Sequence, residues 1–261
     1  MGRIGTLVCV VVVAATAVTA AGSASAQAPE YGRCLKLMGG KFRNAGCTTA
    51  SGPGEEKYEW YPGFSGEKPL IKTGFTERAT GTPEMPIQFE GSGGVKVKVV
   101  CKALTGTGSY TGTGSLALPD VVLSGCESGG SACTSMGRSV GEVVLDSLRG
   151  ALGVIKKGET PVKDKIGVDL SPQTGTEIAQ FSCALTAVTW RGSVILPVKS
   201  NAMTLSTTLK INSPSRCLVE RFEGGERDVL EGSIAGGPFE RWGCAATLVQ
   251  TDEEKIEIKV V

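Results

Sequence analysis

Histidine is absent from this chain of 261 residues. Without an imidazole, neither a Ser-His-Asp nor a Cys-His nucleophile can be built, and every His-ligated zinc or haem site is excluded. The sequence also lacks a phosphate-binding P-loop and a calcium-binding Asp-x-Asp-x-Asp loop. We therefore predict no catalytic residue, metal site or cofactor. A carboxylate, a lysine or a tyrosine would have to serve as any base.

Long apolar runs are absent beyond the N-terminus. The first segment combines Arg3, an apolar run at 7–18 and the small residues Ala24-Ser25-Ala26, which is the pattern of a secretory signal peptide over 1–26. Its apolar core of about a dozen residues is shorter than the roughly 20 that a spanning helix needs. The sequence therefore predicts a secreted, extracellular or cell-envelope protein with no membrane span after signal removal.

Net charge is also missing. The chain carries 27 basic and 26 acidic residues, and Arg3 is the one charged residue of the predicted signal peptide, so the mature protein is neutral. No run of like charge stands out along the chain. This composition argues against a nucleic-acid partner, which would select a strongly basic surface.

Eight cysteines remain once Cys9 leaves with the signal peptide. An even number in an exported chain indicates disulfide bonds, although eight cysteines allow 105 pairings and the connectivity stays open. From spacing alone, the pairs we expect are Cys34–Cys47, Cys126–Cys133, Cys101–Cys183 and Cys217–Cys244. The spacing within GCESGGSAC (125–133) is longer than that of typical zinc and redox pairs, so it favours a structural staple.

Apolar residues alternate with polar ones along much of the chain, which is the period of a β-strand. Val95, Val97 and Val99 alternate with lysines in this way. The stretch 140–152 is the best helical rival, but glycines interrupt it and we interpret it as a hairpin. Other candidate strands lie at 86–89, 121–123, 142–145, 166–170, 178–183, 187–197, 203–211, 229–234, 245–250 and 256–260.

Glycine-rich turns separate these candidate strands, and 37 glycines suit many tight turns. The prediction is an all-β fold, a β-sandwich or barrel of many short antiparallel strands stapled by disulfides. Residues 63–261 form the predicted main β domain. A faint echo between 101–119 and 183–197 leaves open whether that domain consists of two pseudo-repeated halves.

The segment 27–62 differs from the rest, because it is loop-rich and is closed by the expected Cys34–Cys47 bond. It ends in Glu59, Trp60 and Tyr61, which resemble part of a sugar site where aromatic rings stack on the ligand. Trp60 and Tyr61, before Pro62, are the better candidates for exposed binding aromatics, and we name the three residues as possible binding residues.

Two further groups of carboxylates are candidates for chemistry. Asp228 and Glu231 form a pair, and glycoside hydrolysis needs two carboxylates about 5–10 Å apart across a cleft. Residues 252–254 (Asp-Glu-Glu) are interpreted as a solvated turn before the last strand.

Several stretches together resemble a family of exported, cysteine-containing β-proteins of unknown function found in many copies in soil actinobacteria. The resemblance covers nearly all of 30–261. The residues that carry it are 32–34, 46–48, 58–63, 125–128, 133–135, 191–195, 222–225, 228–231 and 237–240. It implies export and an all-β fold, and no activity, substrate or catalytic residue.

The expected function is therefore that of a non-catalytic binding or surface component. Envelope glycans, or another surface protein, are the partners that this class suits. Two alternatives stay open: a carbohydrate-active hydrolase using paired carboxylates, and a secreted inhibitor that presents the 125–133 loop. The sequence favours a protein without enzymatic activity.

Overall fold

The computed structural model describes residues 28–55, 57–64, 72–91, 97–213, 219, 221–225, 227 and 229–260. The predicted signal peptide, Cys217 and Asp228 lie outside these residues. The described part is all-β, as predicted, with one short 3₁₀ helix at Pro161–Lys163 and no α-helix. The strands are β1 Pro29–Lys36, β2 Tyr58–Pro62, β3 Gly74–Thr80, β4 Ile87–Gly91, β5 Lys98–Cys101, β6 Ala103–Gly112, β7 Ser115–Ser124, β8 Glu127–Ser128, β9 Ser131–Thr134, β10 Val143–Leu145, β11 Leu148–Lys156, β12 Lys165–Pro172, β13 Glu177–Cys183, β14 Thr186–Gly192, β15 Val194–Ser200, β16 Thr204–Ser213, β17 Leu230–Ile234 and β18 Glu240–Val260.

Eight of these strands close into an antiparallel barrel. Following the hydrogen-bonded neighbours from β3 leads through β6, β7, β11, β12, β15, β16 and β18 and back to β3. Closure leaves none of these strands as an open edge, which is how barrels avoid edge-to-edge aggregation. Of the two predicted architectures, the barrel is therefore the observed one.

A second circuit of strand pairs adjoins the barrel. It runs from β18 through β4, β5, β8, β9, β13, β14 and β17 back to β18. The link between β5 and β8 is the single pair Val100–Glu127. The long strand β18, with 21 residues, belongs to both circuits and joins them.

The alternation of apolar and polar residues places the core inside these circuits. Along β18, Leu248 and Ile256 are buried, whereas Val249 is 41% exposed. In the second circuit Trp190 is 1% exposed and lies 4.4 Å from Phe89, 4.7 Å from Phe181 and 5.6 Å from Trp242, measured between ring centroids. Aromatic rings at such separations pack favourably beyond the area they bury.

The predicted hairpin at 140–152 is wrong. Strands β10 and β11 do not pair with each other; both pair with β7, where Leu145 faces Val121 and Leu148 faces Leu118. β10 and β11 therefore form one strand along β7 that is interrupted at Asp146 and Ser147. At the interruption the backbone N–H of Asp146 donates to the carbonyl of Ile178, and the carbonyl of Ser147 accepts from the N–H of Gln173. Periodicity alone could not distinguish a turn from such an interruption.

The single strand predicted at 187–197 is two strands. Strand β14 belongs to the second circuit and β15 to the barrel, so the chain changes circuit between them at Ser193. Gly192 has a φ of +92°, and a Cβ atom there would lie 2.1 Å from the Val229 carbonyl oxygen. Only glycine suits such a close crossing.

Of the predicted disulfides, Cys34–Cys47 is confirmed, whereas Cys126–Cys133 and Cys101–Cys183 are wrong. The observed bonds are Cys101–Cys126 and Cys133–Cys183. Continuing the registers of β5, β8, β9 and β13 places these four cysteines in one row across four neighbouring strands. The bonded pairs have Cα separations of 3.9 and 4.0 Å.

The middle pair of that row is left unbonded for a geometric reason. The backbone N–H of Cys133 donates to the carbonyl of Cys126 at 2.9 Å. Residues that share such a hydrogen bond lie about 5.5 Å apart in an antiparallel ladder, against about 4.5 Å for the other kind of pair. Spacing along the chain favours the middle pair, but the sheet brings the outer pairs closer. Cys217, expected to pair with Cys244, lies outside the described residues.

Candidate functional site

The candidate binding residues Glu59, Trp60 and Tyr61 lie on β2, which pairs with β1. Neither ring is an exposed binding aromatic, since Trp60 and Tyr61 are each 8% exposed. The indole Nε1 of Trp60 donates to Glu30 at 2.7 Å, and Glu59 pairs with Lys41 at 3.4 Å. The two aromatic rings are thus part of the packing between β1, β2 and β18, with no open face for a sugar.

The 125–133 stretch is a hairpin built into the wall of the second circuit. Strand β8 pairs with β5 on one side, and β9 pairs with β13 on the other. Only the turn at Gly129 and Gly130, where a Cβ atom would meet nothing within 4 Å, stands clear of neighbours. This arrangement counts against a projecting inhibitory loop.

The other carboxylates do not form a hydrolytic pair in the described residues. Glu231 pairs with Arg191 at 2.8 Å on the neighbouring strand, and its expected partner Asp228 lies outside the described residues. The solvated turn expected at 252–254 is wrong, because these residues belong to β18 and Asp252 is 4% exposed.

Asp252 instead belongs to a buried polar cluster at one end of the barrel. The hydroxyl of Tyr110 donates to its Oδ1 at 2.6 Å and the amide of Gln250 at 2.8 Å. Glu77, 2% exposed, is near enough for the Asp252 carboxyl to raise its pKa. Burial, as the larger cause, brings the pKa of Glu77 to about 7, and burial also raises the pKa of Asp252.

A cavity of about 70 Å³ lies beyond this cluster, enclosed by apolar surface from side chains such as Leu148, Leu196 and Trp190. It is less than half the size of the roughly 150 Å³ apolar cavity that is known to admit benzene. The interior of the barrel is therefore a nearly filled core, unlike the lumen of a carrier protein.

A cleft of about 320 Å³ lies at the barrel end. It is formed by the start of β12, the end of β15 and the end of β18, with Pro161 and Thr48 beside them. We call it the barrel-end cleft. Its volume falls at the lower end of the range typical of small-ligand sites, which often occupy the mouths of barrels.

The residues that line this cleft are mixed in character. Ile166, Val198 and Ile258 are apolar, and the charged residues are Asp164, Lys165, Lys199, Glu257 and Lys259. Such a mixture suits a polar ligand with one less polar face. Asn201 shapes the wall through two bonds to the backbone of Ile258, at 2.6 and 2.8 Å.

Glu257 and Lys259 are the least exposed of these charged side chains, at 12% and 15%. Burial raises the pKa of Glu257 and lowers that of Lys259, and their mutual attraction opposes both shifts. The Lys259 Nζ lies 3.9 Å from Oε2 of Glu257, too far for a hydrogen bond. Oε2 is buried and has no hydrogen-bond partner among the described residues.

Lys259 also ties the cleft to the N-terminal segment. Its Nζ donates to the carbonyls of Gly46 and Cys47, the latter at 2.9 Å, and lies 4.7 Å from the centre of the Trp60 ring. A cation over an indole face is attracted by the ring quadrupole. Trp60, a candidate binding residue from the sequence, therefore contacts Lys259, which lines the cleft, and does not line the cleft itself.

Sequence reasoning missed the cleft itself. Its residues come from positions as far apart as Thr48, Lys165, Lys199 and Glu257, and no motif joins them. The sequence carries one weak signal for the cleft. Glu257 and Lys259 alternate with isoleucines, which predicts a strand with the two charged side chains on the same face.

No cluster of three or more metal-ligating side chains occurs among the described residues. Within the same part of the chain, no helix is long and apolar enough to cross a bilayer. Comparison of the chain with protein-family models, with curated proteins and with solved structures returned no match.

Proposed function

We propose that the protein is an exported, non-catalytic binding protein, and that the barrel-end cleft holds its ligand. The observation that carries this proposal is a ligand-sized cleft lined by Glu257, a largely buried carboxylate whose Oε2 has no hydrogen-bond partner among the described residues. Buried polar atoms are normally hydrogen-bonded, so an exception at the wall of a cleft marks a place where a ligand donor fits.

Export to a secreted or envelope location fits the three disulfides, which suit an oxidising, extracellular environment. The signal peptide predicted over 1–26 supports the same location through its sequence pattern. Envelope glycans are ligands of suitable chemistry, because sugar hydroxyls donate to carboxylates such as that of Glu257.

Absence of catalysis is supported by what the candidate carboxylates do. Glu59 and Glu231 are each held in an ion pair, and the sequence has no histidine to act as a base. Asp164, the second carboxylate of the cleft, accepts a hydrogen bond from the backbone N–H of Gly158 at 2.7 Å, which closes the loop between residues 158 and 164.

A glycan hydrolase is the second candidate, now with different residues. The raised pKa of Glu257 is what a general acid requires, and Asp164 lines the same cleft. Because a carboxyl with a raised pKa and a second carboxylate line one cleft, binding and hydrolysis should be measured together.

The test is a binding screen of the mature protein against soluble glycans and cell-wall fragments, with released sugars measured in parallel. Glu257→Gln removes the acceptor charge, and Glu253→Gln on the same strand is the matched control, because Glu253 does not line the cleft. We expect binding without product, weakened by the first change only. Product release that Glu257→Gln abolishes would establish the hydrolase, and binding that both variants retain unchanged would place the site elsewhere.

A further inference from the structure

A row of lysines borders the barrel-end cleft on its outer side. Lys156 of β11 is the cross-strand partner of Lys165 of β12. Strands β12 and β15 pair up to Gly167 with Pro197, and Lys199 of β15 follows two residues later and lines the cleft together with Lys165. Three exposed lysines therefore come from three successive strands of the barrel, and we call them the lysine row.

The facing of Lys156 and Lys165 is unfavourable. Neighbouring strands are about 4.8 Å apart, and like charges directly opposite one another repel. None of the three ammonium groups has an ion-pair partner among the described residues. Two acids of the connection between β11 and β12 are engaged elsewhere, since Asp164 accepts from Gly158 and Glu159 pairs with Lys163 at 2.7 Å.

Lys165 and Lys199 belong to the row and also line the cleft. A ligand seated in the cleft therefore meets two ammonium groups and the Glu257 carboxylate. The first feature calls for an anion and the second for a hydroxyl or amide donor. A neutral sugar uses only the second, and a simple inorganic anion uses only the first.

We propose that the ligand is an acidic sugar, whose carboxylate lies on Lys165 and Lys199 while a ring hydroxyl donates to Glu257. This assignment rests on the proposed function of the cleft and adds the charge of its ligand. In an acidic polysaccharide, successive carboxylates extend along the lysine row to Lys156.

The test compares one sugar in two charge states. Trigalacturonate and its methyl ester share a ring system and differ in their carboxylates, so calorimetric titration of both isolates the contribution of charge. At low ionic strength we expect the acid to bind at least tenfold more tightly than the ester. The preference should fall as salt rises, because exposed charges are screened.

Variants assign the effect to residues. The double change Lys165→Met with Lys199→Met should weaken binding of the acid at least tenfold and leave the ester unaffected, while Glu257→Gln weakens both. Lys98→Met, an exposed lysine on β5, is the matched control and should change neither.

Each contrary result is informative. Equal affinity for acid and ester, with both lost in Glu257→Gln, would overturn the acidic-sugar assignment and leave the proposed function standing. Inorganic phosphate that displaces the acid at equal concentration would also overturn it, since the lysines would then be a plain anion site. If neither form binds and the broader glycan screen is also negative, both the assignment and the proposed function fail.

Discussion

Glu77→Gln tests the energetics of the barrel interior through its dependence on pH. Glu77 is 2% exposed, and its Oε1 has no hydrogen-bond partner among the described residues. Its pKa rises from an ordinary value of 4.5 to about 7, mainly because burial penalises the charged form and secondly because of Asp252. The folded state therefore holds a proton that the unfolded chain has already released over this range.

The sign and size follow by linkage. Below pH 4.5 both states are protonated and this contribution to stability is fully present. As pH rises towards 7, the free energy of unfolding falls by about 1.4 kcal/mol per pH unit, or about 3 kcal/mol in all. Above the folded pKa the loss is complete. Asp252, whose pKa is also raised by burial, acts in the same direction.

The assay is urea denaturation followed by tryptophan fluorescence between pH 4.5 and 8.5. The wild type should lose about 3 kcal/mol over this range, and Glu77→Gln should remove most of that slope. Glu240→Gln, which changes an exposed carboxylate on β18, is the control and should keep the wild-type slope. A wild type whose stability is flat with pH, or a slope that survives in Glu77→Gln, would refute the reasoning.

Three further predictions concern the framework. Peptide mapping without reduction should recover the Cys101–Cys126 and Cys133–Cys183 links, and a peptide in which Cys126 is joined to Cys133 would contradict the observed ladder. Trp190→Ala should lower the free energy of unfolding by about 3–5 kcal/mol, because it removes a fully buried aromatic side chain. Leu185→Ala, at a fully exposed side chain, is the control and should leave the free energy of unfolding unchanged. Equal losses in the two variants would argue against the aromatic core. Lys259→Met should speed amide hydrogen exchange around Cys47 about tenfold or more while β6 stays protected, because the hydrogen bonds from Lys259 to the carbonyls of Gly46 and Cys47 are lost. Unchanged exchange at Cys47 would mean that Lys259 does not hold the loop around Cys47.

The strands were predictable where one face of the sheet is buried. Ile256 and Ile258 alternate with Glu257 and Lys259, and the structure places the isoleucines inside and the charges towards the cleft. Such a pattern reports which face a residue takes and nothing about which strand lies beside it. For the same reason the break between β10 and β11 was mistaken for a turn, although both strands continue along β7.

The disulfides and the cleft were beyond prediction because both depend on neighbours that are remote in sequence. Cys183 lies 50 residues from Cys133 yet directly opposite it in the sheet. Trp60 and Tyr61 stand next to a proline, but contacts with β1 bury them. Polar, aromatic and charged residues at sequence level indicate a site only when the fold leaves them an open surface.

The central claim is that ligands bind at the barrel-end cleft. Amide hydrogen exchange of the mature protein, with and without a saturating glycan from the binding screen, maps the contact directly. Protection should appear in the short 3₁₀ helix and the start of β12, the end of β15 and the end of β18. Protection confined to the 125–133 hairpin or to β2, with no change at the cleft, would contradict the account.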